Sequence, residues 1–174
     1  MRLKDLNALD AVSAERELLR CCGSTRWAQS MADARPFDSA DHVAATADAV
    51  WQALGEADWL EAFEAHPRIG DPRTGESGES GGAGDAGWAQ QEQSGLRSAS
   101  DQVRERLAAG NQQYEARFGY IFIVCATGRT AEEMLGLLEG RLQHTPHQEL
   151  RAGAEEQRQI TRLRLAKLFE PEGR

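Results

Sequence analysis

An all-α fold, a single-domain bundle of about eight helices, is predicted by three features of the sequence. Apolar residues recur three and four apart while strict alternation is scarce. Cap residues repeatedly precede these periodic stretches and breakers follow them. The chain has 174 residues, within the range of about 100 to 200 usual for one domain.

The elements follow in order. Ser13 can cap a first helix carrying Glu15 and Glu17 in its opening turn, with Leu18 and Leu19 as apolar contacts and Gly23 as a stop. Ser24 can begin the next. From Ser39, the residues Val43, Ala47, Val50 and Leu54 form one stripe, and Trp51 and Trp59 add bulk to the core. Between Gly70 and Gly87, seven of eighteen residues are glycine and apolar side chains are nearly absent, so a mobile loop inserted in the domain (about 70–87) is expected. Periodicity resumes with Val103, Leu107, Gly110, Tyr114 and Phe118 on one helical face. Tyr120 to Ala126 is apolar, β-branched and aromatic, which suits either a buried strand or an extended pass through the core. Two capping boxes then open helices, Thr130 with Glu133 and Thr145 with Gln148, the second with Pro146 at the first helical position.

Charge and hydropathy narrow the function. A net charge of −8 with a pI near 5.1 argues against a dedicated binder of nucleic acid or of anionic membrane. The longest apolar run, Tyr120 to Ala126, is seven residues, whereas a spanning helix needs about 20. The opening residues lack the apolar stretch of a signal peptide, so a cytoplasmic location is expected. Cys21, Cys22 and Cys125 are odd in number and include two neighbours, so buried reduced thiols are expected rather than disulfides.

Few residues offer chemistry. His144 and His147 are three apart, but Pro146 and a cap separate them, and no metal is assigned. His66 ends an acidic-apolar helix and precedes Pro67, which disfavours the α-region for the residue before it. Its imidazole is suited to moving a proton near neutral pH, or simply to capping the helix. Glu92-Gln93 offers an anion beside an amide, a pattern that a solvated helix start would also produce. Ile160, Arg164 and Leu168 are four apart, so a guanidinium emerges from an apolar face, either to snorkel or pair, or to hold a planar ligand through its fork of donors. No dinucleotide fingerprint, phosphate loop or nucleophile elbow is present.

In order along the chain, Cys21-Cys22-Gly23-Ser24 with Trp27-Ala28, His66-Pro67-Arg68-Ile69-Gly70-Asp71, Glu92-Gln93-Ser94-Gly95, Asn111-Gln112-Gln113-Tyr114 and Phe118-Gly119-Tyr120 resemble the 2-oxo-4-hydroxy-4-carboxy-5-ureidoimidazoline (OHCU) decarboxylase family. Gly128-Arg129-Thr130, Arg141-Leu142 and Leu163-Arg164-Leu165 extend the resemblance over nearly the whole chain. It implies an all-helical, cofactor-free enzyme of urate breakdown that releases CO2 and yields (S)-allantoin, working as a homodimer. By matching positions it implies His66 as acid/base, with Glu92 also catalytic and Glu92 and Gln93 binding the ring and ureido groups. Arg164 would anchor a substrate oxygen, and Pro67 with the backbone near Phe122, Ile123 and Val124 would line the pocket. Two positions depart from the family pattern, Ala89 where a serine is common and Ile121 where a proline is. A non-catalytic helical adaptor, or a cofactor-free hydrolase of a related ureido compound, are the competing expectations.

Overall fold

Side-chain caps fix where most of the helices begin. In the computed structural model, which describes residues 1–69, 88 and 99–169, the described residues form eight α-helices and no strand. They are α1 (Leu3–Ala8), α2 (Ala11–Leu19), α3 (Thr25–Asp33), α4 (Ala40–Ala53), α5 (Glu56–Glu64), α6 (Asp101–Phe118), α7 (Ala131–Arg141) and α8 (Pro146–Phe169). Ser24, Ser39 and Ser100 each accept from a backbone N–H in the first turn of α3, α4 and α6. Both expected capping boxes form: Thr130 with Glu133, and Thr145 with Gln148. One cap differs from expectation. Asp10, not Ser13, caps α2, and its carboxylate accepts from the backbone N–H of Ser13. The acid starts the helix one turn earlier, satisfies a first-turn donor there and complements the helix dipole. The predicted loop over 70–87 lies outside the described residues. No described helix is long and apolar enough to cross a membrane.

The chain divides into two compact units. The first comprises Met1–Ala62 with the chain from Arg158 onward. Its core includes Leu6, Leu18, Cys21, Cys22, Trp27, Met31 and Val43, all fully buried. The Trp27 indole donates to the Ala47 carbonyl at 3.2 Å, so the largest apolar side chain there also satisfies its polar atom. On α4 the buried stripe is Val43, Ala47 and Trp51, while Val50 and Leu54 are only half-buried. The indole of Trp51 takes the inward position that Val50 was expected to fill. Arg35 closes two helix ends by donating to the carbonyls of Leu6, Leu9 and Ala32. Asp48 accepts from Arg158 at 2.8 Å and from Arg162 at 3.1 Å, tying α4 to the C-terminal part of α8.

The second unit, Phe63–Gln157, packs α6 against α7 through Leu107, Tyr114, Met134, Leu135 and Leu138. Gly110 allows the close approach: a Cβ there would lie 2.6 Å from Cδ2 of Leu138. Gly119 ends α6 in the left-handed region at φ 82°, and Gly128 adopts φ 80° in the turn closed by the Arg129 N–H on the Ala126 carbonyl. Both conformations favour glycine.

Two of the helical glycines, Gly110 and Gly136, should respond oppositely to alanine. Nothing lies near a Cβ on Gly136, so Gly136→Ala should raise stability by about 0.5–1 kcal/mol. Gly110→Ala must displace buried Leu138 and should lower stability by about 1–2 kcal/mol despite the same propensity gain. Urea denaturation of both variants checks this; stabilisation by both would refute the close-packing account of Gly110.

Candidate active site

His66 stands just past the C-terminus of α5, where its N–H donates to the Phe63 carbonyl at 3.0 Å. Pro67 then prevents continuation of the helix. The next two residues are held by α6. Arg68 forms a two-pronged ion pair with Glu115, at 2.6 and 2.8 Å, and buried Asn111 donates to the Ile69 carbonyl at 3.0 Å. The His66-Pro67 corner is thus positioned by a helix remote in sequence. Arg68 holds the Glu115 carboxyl below its ordinary value, chiefly through their hydrogen bond.

Residues 121–126 form an extended segment, with no partner strand among the described residues. Of the two expected forms, the described residues show the extended pass. Phe122, Ile123 and Val124 are buried, so their peptide groups cannot rely on bulk water. Side chains satisfy part of the demand. The Ile123 carbonyl accepts from Arg141 at 2.6 Å, the Cys125 N–H donates to Glu156 at 2.7 Å, and the Cys125 carbonyl accepts from Arg129 at 3.0 Å. Among the described residues, the N–H groups of Phe122, Ile123 and Val124 donate to no protein acceptor. A row of buried amides of this kind is a place for ligand oxygens.

Arg141 belongs to a buried polar cluster. It is 7 % exposed and Glu149 is 0 % exposed, and the guanidinium meets Glu149 Oε1 at 2.7 Å through Nε and 2.5 Å through Nη2. The same oxygen accepts from the Tyr114 hydroxyl, and Oε2 contacts Nδ1 of His144 at 2.8 Å. Burial, the largest cause, and the bond to Glu149 push the Tyr114 phenol far above its ordinary range while Arg141 opposes them, so it remains a neutral donor. Burial likewise pushes Tyr120 up to about 12. The Arg141 guanidinium also lies over the Phe122 ring, 4.8 Å from its centroid.

Aromatic packing links the end of α5 to the segment after Gly119. Phe63, one turn before His66, stacks on Tyr120 at 5.5 Å, and Tyr114 meets Phe122 at 5.3 Å. Both pairs lie in the second unit. Arg164 lies in the first unit, 5 % exposed, on the buried face shared with Ile160 and Leu168; the inward guanidinium is as expected. Its charge favours ionisation of Cys22 nearby, but burial outweighs it and raises that thiol to about 11, leaving it protonated at neutral pH. All three cysteines are buried and free. Glu92 and Gln93 lie outside the described residues.

The sequence reading missed Asn111, Glu115, Arg141, Glu149 and Glu156 as positioning residues. Arg141 carried a usable signal, since it follows Met134 and Leu138 on the buried face of α7 much as Arg164 follows Ile160. Glu149 carried a misleading one: an acid in the first turn of α8 is fully accounted for by the helix dipole.

The family model described as OHCU decarboxylase matches residues 7–166. The chain belongs to the OHCU decarboxylase family. Among relatives, the uric acid degradation bifunctional protein TTL of Arabidopsis thaliana is 38 % identical over 155 residues, covering 89 % of this chain and 47 % of that protein. The 2-oxo-4-hydroxy-4-carboxy-5-ureidoimidazoline decarboxylase of Haloferax volcanii is 27 % identical over 173 residues, covering 99 % of this chain and 98 % of that one. The fold matches a crystal structure of OHCU decarboxylase in the presence of (S)-allantoin with TM-score 0.75 and 38 % identity, covering 88 % of this chain and 97 % of the other. The chain thus spans about half the length of the Arabidopsis protein, and about a third of two Bacillus bifunctional proteins.

The Arg68–Glu115 pair gives a pH signature for this family member. A lowered carboxyl contributes stability above its ordinary value of 4.5 and loses it as pH falls through the folded-state value. Glu115→Gln should therefore cost up to about 1 kcal/mol at neutral pH, and the difference from the parent protein should vanish in acid. Asn111→Leu strands the Ile69 carbonyl and should cost about 1–3 kcal/mol at either pH. Urea titrations at neutral and acid pH separate the two behaviours; a Glu115→Gln deficit that grew on acidification would contradict the ion-pair account.

Proposed function

We propose that the protein decarboxylates 2-oxo-4-hydroxy-4-carboxy-5-ureidoimidazoline to (S)-allantoin and CO2. The observation that carries this is the family match over residues 7–166, supported by the buried segment whose N–H groups at Phe122, Ile123 and Val124 donate to no acceptor among the described residues. A substrate crowded with carboxylate, hydroxyl and ureido oxygens is the complement of such a row.

The chemistry needs no external electron sink. As the C–C bond to the carboxylate breaks, its electron pair forms a C=C bond and the adjacent ring C=N pair moves onto nitrogen, which takes a proton from solvent; the enol left behind then loses its hydroxyl proton to become a carbonyl as a proton adds to the neighbouring ring carbon. The protein must orient the ring and deliver that proton to one face. In this scheme His66 takes the hydroxyl proton or supplies the proton to carbon, beside Pro67 as a wall. The amides of 122–124 hold substrate oxygens, and the roles of Glu92 and Gln93 on the ureido group and of Arg164 on a substrate oxygen are those the resemblance implies. A single OHCU decarboxylase-like domain spanning 1–174, a homodimeric state and a cytoplasmic location belong to the same proposal.

The test is a coupled assay that generates the unstable substrate from urate in situ and follows (S)-allantoin by circular dichroism. Enantiomer-selective acceleration over the racemic spontaneous reaction is expected, with CO2 release. His66→Ala should lose about 100-fold to 10,000-fold of the rate while keeping the parent helical spectrum. Product formation without CO2 would instead indicate the hydrolase, and no acceleration by a folded protein would indicate the adaptor.

A further inference from the structure

Arg141 has no part in the chemistry just proposed, although its charged side chain grips the 122–124 run at Ile123. Its Nη1 holds the Ile123 carbonyl at 2.6 Å. A trans peptide is planar, so the C=O of Ile123 and the N–H of Val124 belong to one rigid plate and point in opposite directions. Fixing one end fixes the other. With the carbonyl pinned toward Arg141, the Val124 N–H is directed away from it, and among the described residues that N–H has no acceptor.

The pin is itself rigid. Nε and Nη2 are both committed to Glu149, which is held in turn by Tyr114 and His144. The guanidinium is further confined by the Phe122 ring beneath it. The next peptide is fixed independently, by the Cys125 N–H on Glu156. A positive charge on the Ile123 carbonyl also polarises the peptide and makes the Val124 N–H a stronger donor.

We propose that Arg141, set by Glu149, is a positioning residue that aims and polarises the Val124 amide toward an oxygen of the bound substrate. This rests on the decarboxylase reading of the same site. Lysine at this position would keep the charge beside Glu149 but could not serve the carboxylate and the carbonyl through one planar fork.

The experiment compares Arg141→Lys and the double variant Arg141→Met/Glu149→Leu with the parent protein. The double change removes both buried charges together, which avoids stranding either one. For folded protein at a temperature well below its unfolding transition, kcat/KM should fall on the order of 10-fold to 100-fold in both variants. In 15N-labelled parent protein, titration with (S)-allantoin should move the Val124 amide resonance, and in both variants that response should shrink. A purely structural role would lower the unfolding temperature yet leave kcat/KM and the Val124 response of the folded fraction unchanged; that result overturns the proposal while the decarboxylase stands. A parent protein that makes no (S)-allantoin above background removes the decarboxylase reading and this inference with it.

Discussion

The second unit is organised around one constraint: an extended segment is buried, and among the described residues no strand pairs with it. Every residue in such a run carries a donor and an acceptor that a sheet would satisfy automatically. Here side chains from three other parts of the unit do so, Arg141 from α7, Glu156 from α8 and Arg129 from the turn that follows. Helical packing builds the walls, and these bonds set the direction of the backbone between them. Among the described residues these bonds leave the amides of Phe122 to Val124 without an acceptor, and those are the groups the proposed function assigns to substrate oxygens.

Burying Arg141 and Glu149 to achieve this is expensive. Removing either charge from water costs several kcal/mol unless its partners are in place, and the cluster supplies them. Glu149 receives both its guanidinium contacts on one oxygen, with Tyr114 adding a third donor and His144 occupying the second oxygen. The Tyr114 ring in turn packs on Phe118, Tyr120 and Phe122. Polar and apolar packing are therefore coupled at the same few residues. The charge pair fixes the segment and the aromatic cluster excludes the water that would compete for it.

Local signals carried most of the fold. Caps at Ser24, Ser39, Thr130 and Thr145 were readable because capping depends on residues within one turn, and the buried face of α6 was readable from Leu107, Gly110 and Tyr114. The replacement of Ser13 by Asp10 shows the limit even there, since two short polar residues one turn apart could each serve. The segment after Gly119 was ambiguous because its composition suits a strand, and its extended form without a partner strand among the described residues is a tertiary outcome that composition does not encode. For the site, the His66-Pro67 corner and the inward face of Arg164 were legible as local conformation and periodicity. The braces of the corner, Asn111 and Glu115, act across more than forty residues of sequence, and no spacing rule reports a contact of that kind.

A crystal structure of this protein soaked with (S)-allantoin tests the central claim, that the His66 corner and the 122–124 backbone form one receiving surface. Ligand oxygens should lie within hydrogen-bond distance of amides in the 122–124 run, with the His66 ring against the heterocycle. A well-ordered ligand bound elsewhere, with those amides hydrogen-bonded only to water, would contradict the account.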